Sequence, residues 1–489
     1  MKQFYTLILV LISITLHTQQ QIGQDINGAA AGDNAGISVS TSADGNIVAI
    51  GSPFNDENGL NSGHVRIFEN QSDTWVQIGQ DIEGEAEGDR SGISVSLSAD
   101  GSIVAIGAQL NDGNGIISGH VRIYENLNGT WIQIGQDIDG EAAEDASGQS
   151  ISLSADGSIV AIGAQLNDGS GFNSGHVRIY ENQNGTWIQI GQDIDGDDTN
   201  NRFGRSVSLS ANGNIVAINL IGIDEFGFDS VRVYENQSGT WTQIGDDING
   251  ESLGAANNGG VSLSSNGNIV AFLALGLTDT PEVSNVAVIY ENQNGTWVQL
   301  GDTIFSEQTS DGAGTRSISL SGDGTIVAIG ANTNDGNGIN SGHVRVFKNQ
   351  NGVWMQLGED IDGGAASDFL GASVSLSENG NILAIGAYGN DDNGDLSGQV
   401  TVFDLFDLLS TDDYQNSEFK LYPNPAKNQF TIQLNDASIL ESITVYNALG
   451  QAVLTSTKSV INTSKLASGS YIVEVLTSKG KDTKKLIIE

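Results

Sequence analysis

The sequence contains no cysteine. Disulfides are excluded, and so is a lipid-modified N-terminal cysteine; an exported chain of this kind has to hold itself together by packing or metal ions. Long apolar runs are also missing. The one sustained run, Leu7 to Leu16, lies in MKQFYTLILVLISITLHTQQ behind a single lysine. It is too short to span a bilayer and lacks a stop-transfer flank, so residues 1–20 are expected to be a secretory signal peptide, with no membrane span after it. Positive charge is scarce: 19 Lys and Arg face 60 Asp and Glu, a formal net charge of −41. The shortage is uneven. From residue 418 onward eight lysines outnumber six acids, whereas residues 21–417 contain a single lysine, Lys348. So acidic a body repels phosphate backbones and anionic lipid, which excludes nucleic-acid binding and leaves cations, cationic partners and neutral glycans. Helical periodicity is absent from the body as well.

What is present is repetition. Trp75, Trp131, Trp187, Trp241, Trp297 and Trp354 recur at intervals near 56 residues. An Asp/Asn-Gly pair before an apolar run recurs seven times, from Asp44, Asp100, Asp156, Asn212, Asn266, Asp323 and Asn379. Residues 92–138 carry one unit. GISVSLS (92–98) alternates apolar and polar, as a half-buried strand does, and SIVAIGA (102–108) is apolar on both faces. A polar loop leads to HVRIYEN (120–126), and an Asn-Gly hairpin turn leads to WIQIGQDI (131–138). Four antiparallel strands repeated radially predict a β-propeller.

The ends of the body fix the blade number. The seventh unit (372–404) stops without its fourth strand, and QQQIGQDI (19–26) supplies that strand at the other end of the chain. The expected fold is all-β: a seven-bladed β-propeller closed by an N-terminal strand over 21–404, a linker over 405–417, and a small Ig-like β-sandwich over 418–489.

The stretch GISVSLSADGSIVAIGAQLNDGNGIISGHVRIYEN resembles the FG-GAP repeats of integrin-type propellers. It shares the Gly before the first strand (Phe203-Gly204 in one unit), the Ile-Gly-Ala, and the Ser-Gly-His-Val-Arg that opens the third strand. Integrin-type repeats place an Asp-rich calcium loop between the first two strands. Here that connection is only SADGS or SSNGN, too short to enclose the ion, so those calcium sites do not transfer.

Strands that alternate in direction put both long loops of each unit on one face. Asn55-Asp56, Asn111-Asp112, Asn167-Asp168, Asn334-Asp335 and Asn390-Asp391 recur in one loop, and Asp33, Asp89, Asp145, Asp311 and Asp368 in the other. An acidic crown is expected there, first as solvated turn residues, then as a calcium site, and third as a specific ligand groove. The calcium candidate is Asp391, Asn393 and Asp395, at alternating positions of NDDNGD. His64, His120, His176 and His343 open the third strand of four units. They are spread round the ring, so each is expected to bond a loop Asp or a backbone carbonyl rather than converge on one centre. Arg66, Arg122, Arg178, Arg232 and Arg345, two residues on, are expected to pair with acids between blades. Units four and five lose the loop motif and carry Phe226, Phe228 and Leu277 instead. Asn128, Asn184 and Asn294 match glycosylation sequons, though the hairpin turn already explains Asn-Gly there. No nucleophile motif, phosphate-binding loop or zinc spacing stands out, and no catalytic residue is assigned.

Residues 418–489 resemble the C-terminal sorting domain of the type IX (Por) secretion system of Bacteroidota. Tyr422-Pro423-Asn424-Pro425, the run VYNALGQ ending near Gly450, and KKLIIE with Lys484 and Lys485 carry the likeness. It implies the type IX machinery as partner, secretion to the outer cell surface or beyond, and removal of the domain. The function expected is non-enzymatic binding or adhesion to an extracellular glycan or protein by a monomer. A polysaccharide hydrolase or lyase, and a calcium-stabilised scaffold, are the alternatives.

Overall fold

The computed structural model describes residues 19–220, 230–249, 259–277, 283–307, 317–405, 419–434, 440–447, 451–463, 465–477 and 480–488. The stretch to residue 18 that was expected to be a signal peptide, most of the expected linker, Asp311, Phe226, Phe228 and Gly450 lie outside them. The described residues contain strands and turns and no helix. The chain divides into two compact units, Met1–Leu409 and Ser410–Glu489.

The larger unit is a ring of seven antiparallel sheets. Blade one shows the pattern: Ser38–Thr41 innermost, then Ile47–Ser52, His64–Asn70, and an outer strand in two pieces, Trp75–Gln77 and Ile82–Glu83. The second strand is buried along nearly its whole length, as its apolar pattern on both faces requires. The cores lie between blades. Ala49, Val65, Ile67 and Ile82 of blade one pack on Val95, Leu97, Val104, Ile106 and Trp131 of blade two. Hairpin chemistry follows the sequence too: Asn128 and Asn184 have φ of 56° and the glycines after them 84°, positive at both central positions as a type I′ turn needs.

Blade seven joins the two ends of the body. Leu370–Leu376, Ile382–Ala387 and Gln399–Asp404 are completed by Gln20–Gln21 and Ile26–Asn27, with Gln20 opposite Asp404 and Ile26 opposite Val400. Ile26 is 5% exposed and packs with Val48, Trp75, Val400 and Val402. Where the other outer strands carry Trp, this one carries Gln19. In blades one to six the indole N–H donates to the preceding outer strand, as Trp75 does to Ile22 O at 2.9 Å; Gln19 Nε2 donates to Leu357 O at 3.3 Å in its stead. Leu405, expected to begin the linker, is buried in the sixth–seventh blade core.

Two hydrogen-bonded circles run round the axis. Ala43 N–H donates to Ala99 O, Ala99 to Ala155, Ala155 to Ala211, Ala211 to Ser265, Ser265 to Gly322, Gly322 to Glu378, and Glu378 back to Ala43, all at 2.7–2.9 Å. One level away, each inner-strand serine accepts the main-chain N–H of the next blade at 2.9–3.0 Å, from Ser40 with Leu97 round to Ser375 with Thr41. Serine is small enough for the crowded axis and supplies the acceptor there. The Ile-Gly-Ala of the second strand has a similar cause, because a Cβ on Gly107 would overlap the Gly148 carbonyl of the next blade.

The smaller unit packs a three-stranded sheet (Phe419–Tyr422, Gln429–Leu434, Val460–Asn462) and a four-stranded one (Ala452–Ser456, Leu440–Tyr446, Gly469–Thr477, Gly480–Ile488) around one core. Phe419, Phe430, Ile443, Val473 and Leu486 form its centre.

Deleting residues 19–27 is expected to lower unfolding stability by on the order of 3–5 kcal/mol, at about 1 kcal/mol per main-chain bond plus the loss of buried Ile26. An unchanged urea midpoint would contradict the closure. Gly107→Ala is expected to cost about 1–3 kcal/mol by overpacking. Gly88→Ala, at φ +90° with open space around it, should cost only about 1 kcal/mol.

Candidate functional site

Where the long loops are described, two connections brace each other. Asn55 Nδ2 donates to Asp33 Oδ1 at 3.2 Å, and Asp33 Oδ2 accepts the Ala30 N–H at 2.8 Å. Asn111 with Asp89, and Asn167 with Asp145, repeat the pair. Asp33, Asp89, Asp145 and Asp368 are 3–7% exposed. This corrects the expected crown: these carboxylates point inward to satisfy amides, and Asp311 falls outside the described residues. The outward half of the motif is Asp56, Asp112, Asp168, Asp335 and Asp391. Each closes its own loop by accepting a main-chain N–H five residues on, as Asp112 Oδ1 does from Ile117 at 2.7 Å.

The loop tips are apolar. Leu60, Ile116, Phe172 and Ile339 occupy one repeat position in blades one, two, three and six, and are 58, 68, 61 and 71% exposed. Their carbonyls are tethered: Leu60 O accepts from Gly88 N–H, Ile116 O from Glu144, Phe172 O from Asn200 and Ile339 O from Ser367, at 2.7–2.9 Å. The backbone is held while the side chain stands in solvent. This position went unremarked in the sequence, although its repeated apolar residue amid Asn, Asp and Gly was the available signal. In blade seven it is Asp395. Of the calcium candidates there, Asp391 Oδ1 accepts the Leu396 N–H, and Asn393 Nδ2 donates to Gly28 O and Ala29 O at 2.8 and 3.2 Å, across the seam with the N-terminal strand.

Beneath the tips the four histidines are buried at 0–2% exposure. His64 does not make the loop or carbonyl bond expected of it, since neither ring nitrogen has a hydrogen-bond partner. Instead Nδ1 lies 3.7 Å from Asp81 and 3.9 Å from Glu83, while His120 and His176 lie 3.8 Å from Glu85 and Glu141. Burial, and then the neighbouring arginine, pushes His120 and His176 down to about 4. Burial among Glu57, Asp81 and Asp33 pushes the Glu83 carboxyl up to about 7.

The arginines do bridge blades, chiefly to carbonyls. Arg66, Arg122, Arg178 and Arg345 each donate an NH2 to the preceding outer strand at 2.7 Å. Carboxylates join in blades two to four, where Arg122 meets Glu85, Arg178 meets Glu141, and Arg232 meets Asp197 and Asp247. In the tail the expected motif residues come together. Asn424 Oδ1 accepts the Ile487 N–H at 2.8 Å, Ala426 bridges Ile488, and Lys484 Nζ sits 5.5 Å from the Phe419 ring centre. Tyr422 is half exposed, and Pro423 and Pro425 both follow cis peptides.

Residues 420–489 match the family model for the secretion system C-terminal sorting domain, and residues 362–403 match that for the FG-GAP repeat. The chain thus carries a type IX sorting domain behind FG-GAP propeller repeats, and the tail directs export to the cell surface or extracellular space. No curated protein matches the chain. Among solved structures it is similar to a putative 6-phosphogluconolactonase from Bacteroides uniformis (15% identity over 67% of this chain and 85% of that one, TM-score 0.46). It is also similar to the β-propeller domain of the Trilobed protease from Pyrococcus furiosus (11%, 71% and 90%, 0.42) and the GH74 xyloglucanase from Xanthomonas campestris (10%, 84% and 59%, 0.46). Among the described residues no helix is long and apolar enough to cross a membrane.

A buried histidine with a lowered pKa binds fewer protons folded than unfolded. Its stabilising effect is complete above about pH 6.5 and is lost as pH falls toward 4. Glu83 acts in the opposite sense, its cost being full above about pH 7 and relieved toward 4.5. In chelator-containing buffer, His120→Gln/His176→Gln should therefore flatten the fall of melting temperature between pH 6.5 and 4. An unaltered slope would show that these rings titrate normally.

Proposed function

We propose that the propeller is a non-enzymatic binding or adhesion module that engages an extracellular glycan or protein with its long-loop face. One observation carries the proposal: Leu60, Ile116, Phe172 and Ile339 project at one repeat position from the loops of blades one, two, three and six, whose backbones are tethered by hydrogen bonds. Exposed apolar side chains on a rigid, acid-studded support lose little conformational freedom on binding and gain by desolvation. In this proposal residues 1–20 are the leader, 21–404 the binding domain, 405–417 the linker, and 418–489 the sorting domain. The last is removed after passage through the type IX machinery, leaving a monomer released or attached to surface polysaccharide.

The full-length chain is to be screened against host and algal polysaccharides and surface proteins, with and without Ca²⁺, while product release is followed. Retention without turnover is expected. Leu60→Ser/Ile116→Ser/Phe172→Ser/Ile339→Ser should weaken that retention about tenfold or more while leaving the melting temperature nearly unchanged. Undiminished binding by this variant removes the loop tips from the function, and polysaccharide cleavage by the wild type makes the protein an enzyme. A calcium requirement lost on Asp391→Asn would move the metal into the binding step.

A further inference from the structure

Among the described residues, four clusters on the long-loop face unite a histidine with carboxylates. Three are triads: Glu85-His120-Asp137, Glu141-His176-Asp193 and Glu307-His343-Asp360. The first blade holds four residues, Glu57, His64, Asp81 and Glu83, with a ligand-capable atom of each within 4.8 Å of all the others. The clusters differ in how their charge is balanced. In blades two and three a guanidinium nitrogen lies 3.5 and 3.6 Å from Glu85 and Glu141, so the glutamate that spans the blades already has a cation. In blade one the residue in the place of that glutamate is Ala29, and Arg66 donates to the Asn27 carbonyl. Three carboxylates are left crowded round one imidazole.

The buried atoms of this quartet are incompletely bonded. His64 is 0% exposed, and its ring nitrogens and Glu83 Oε2 have no hydrogen-bond partner. The 3.7 and 3.9 Å from His64 Nδ1 to Asp81 Oδ2 and Glu83 Oε1 are too long for hydrogen bonds. They approach the about 3.3–3.6 Å that separates two ligands on one ion with bonds of about 2.0–2.2 Å near tetrahedral angles. The Gln77 amide holds the other Asp81 oxygen, which fixes the direction of Oδ2. Glu57 is exposed and gives an ion a way in from solvent.

We propose that Glu57, His64, Asp81 and Glu83 form a binding site for one divalent first-row transition cation of the zinc class. A nitrogen ligand among carboxylates suits these ions, whereas Ca²⁺ seeks six to eight oxygens. The ion ties three elements together: Glu57 comes from the loop that carries Leu60, His64 from the third strand, and Asp81 and Glu83 from the break in the outer strand and the piece that follows it. Binding stiffens the most acidic of the four clusters and locks one apolar tip in place.

The test uses the full chain stripped with chelator and titrated calorimetrically with ZnCl₂ at physiological salt and excess MgCl₂, which suppresses loose surface binding. One ion per chain is expected, with a dissociation constant in the micromolar range or below and a raised melting temperature. Co²⁺ in its place should give the visible d–d bands of a nitrogen–oxygen site. H64Q and E83Q should each weaken binding about tenfold or more, and E85Q should not. Because H64Q alters a buried ring, E57Q on an exposed side chain provides the variant that cannot fail by misfolding; it should weaken binding as well. The proposal is overturned by an absence of saturable binding, by Ca²⁺ competing on equal terms, or by affinity unmoved in both E57Q and E83Q. Four equivalent ions per chain would overturn the assignment to the first blade.

Discussion

The circle of seven main-chain hydrogen bonds from Ala43 round to Glu378 is the constraint on which the rest of the body depends. Each link is an ordinary amide–carbonyl bond, but a circle has no terminal member. Every blade is held on both sides at the axis, and any missing sector would leave two open edges. The circle sets the side chains permitted at each radius. Serine, alanine and glycine fill the narrow centre, and valine and isoleucine the walls between blades. Tryptophan fills the broad outside, where its N–H reaches back to the preceding blade.

The same inside-to-outside order governs the charges. Many carboxylates do not face the solvent as free anions. Asp33, Asp89 and Asp145 are used up by asparagine amides and main-chain donors, and Asp56 and its counterparts close their own loops. This internal bonding makes the long-loop face stiff without disulfides. The exceptions lie where a bonding partner has been lost. Ala29 replaces the glutamate that spans other blade boundaries, and the neighbouring acids gather round His64. Asn219, which replaces the small glycine of the second strand in blade four, is fully buried with both side-chain polar atoms unpartnered.

Most of the fold was legible in the sequence because repetition multiplies a weak signal. One alternating segment is ambiguous, but seven spaced at about 56 residues are not, and the orphan phrase QQQIGQDI could only belong to the unit lacking its last strand. The faces on which the loops lie followed from strand direction alone. Side-chain orientation within those loops did not follow. An aspartate in a turn has the same sequence signature whether it closes its own exposed loop, as Asp112 does, or reaches a buried amide, as Asp89 does. His64 was misjudged for a related reason. The spacing of the histidines excludes one shared centre, but the carboxylates that meet each of them come from a strand some twenty residues on and from a neighbouring connection.

Blade seven has a bearing on the order in which the molecule is assembled. Gln20 and Asp404 are cross-strand neighbours, so the Gln20–Gln21 segment must wait for a partner at the far end of the propeller before it finds its place. Contacts of such long separation are slow to form. The address segment that begins near residue 420 comes directly behind the strand being waited for. Completion of the passenger and arrival of its export signal are thus nearly one event, and a chain cut short anywhere before 399 would present neither.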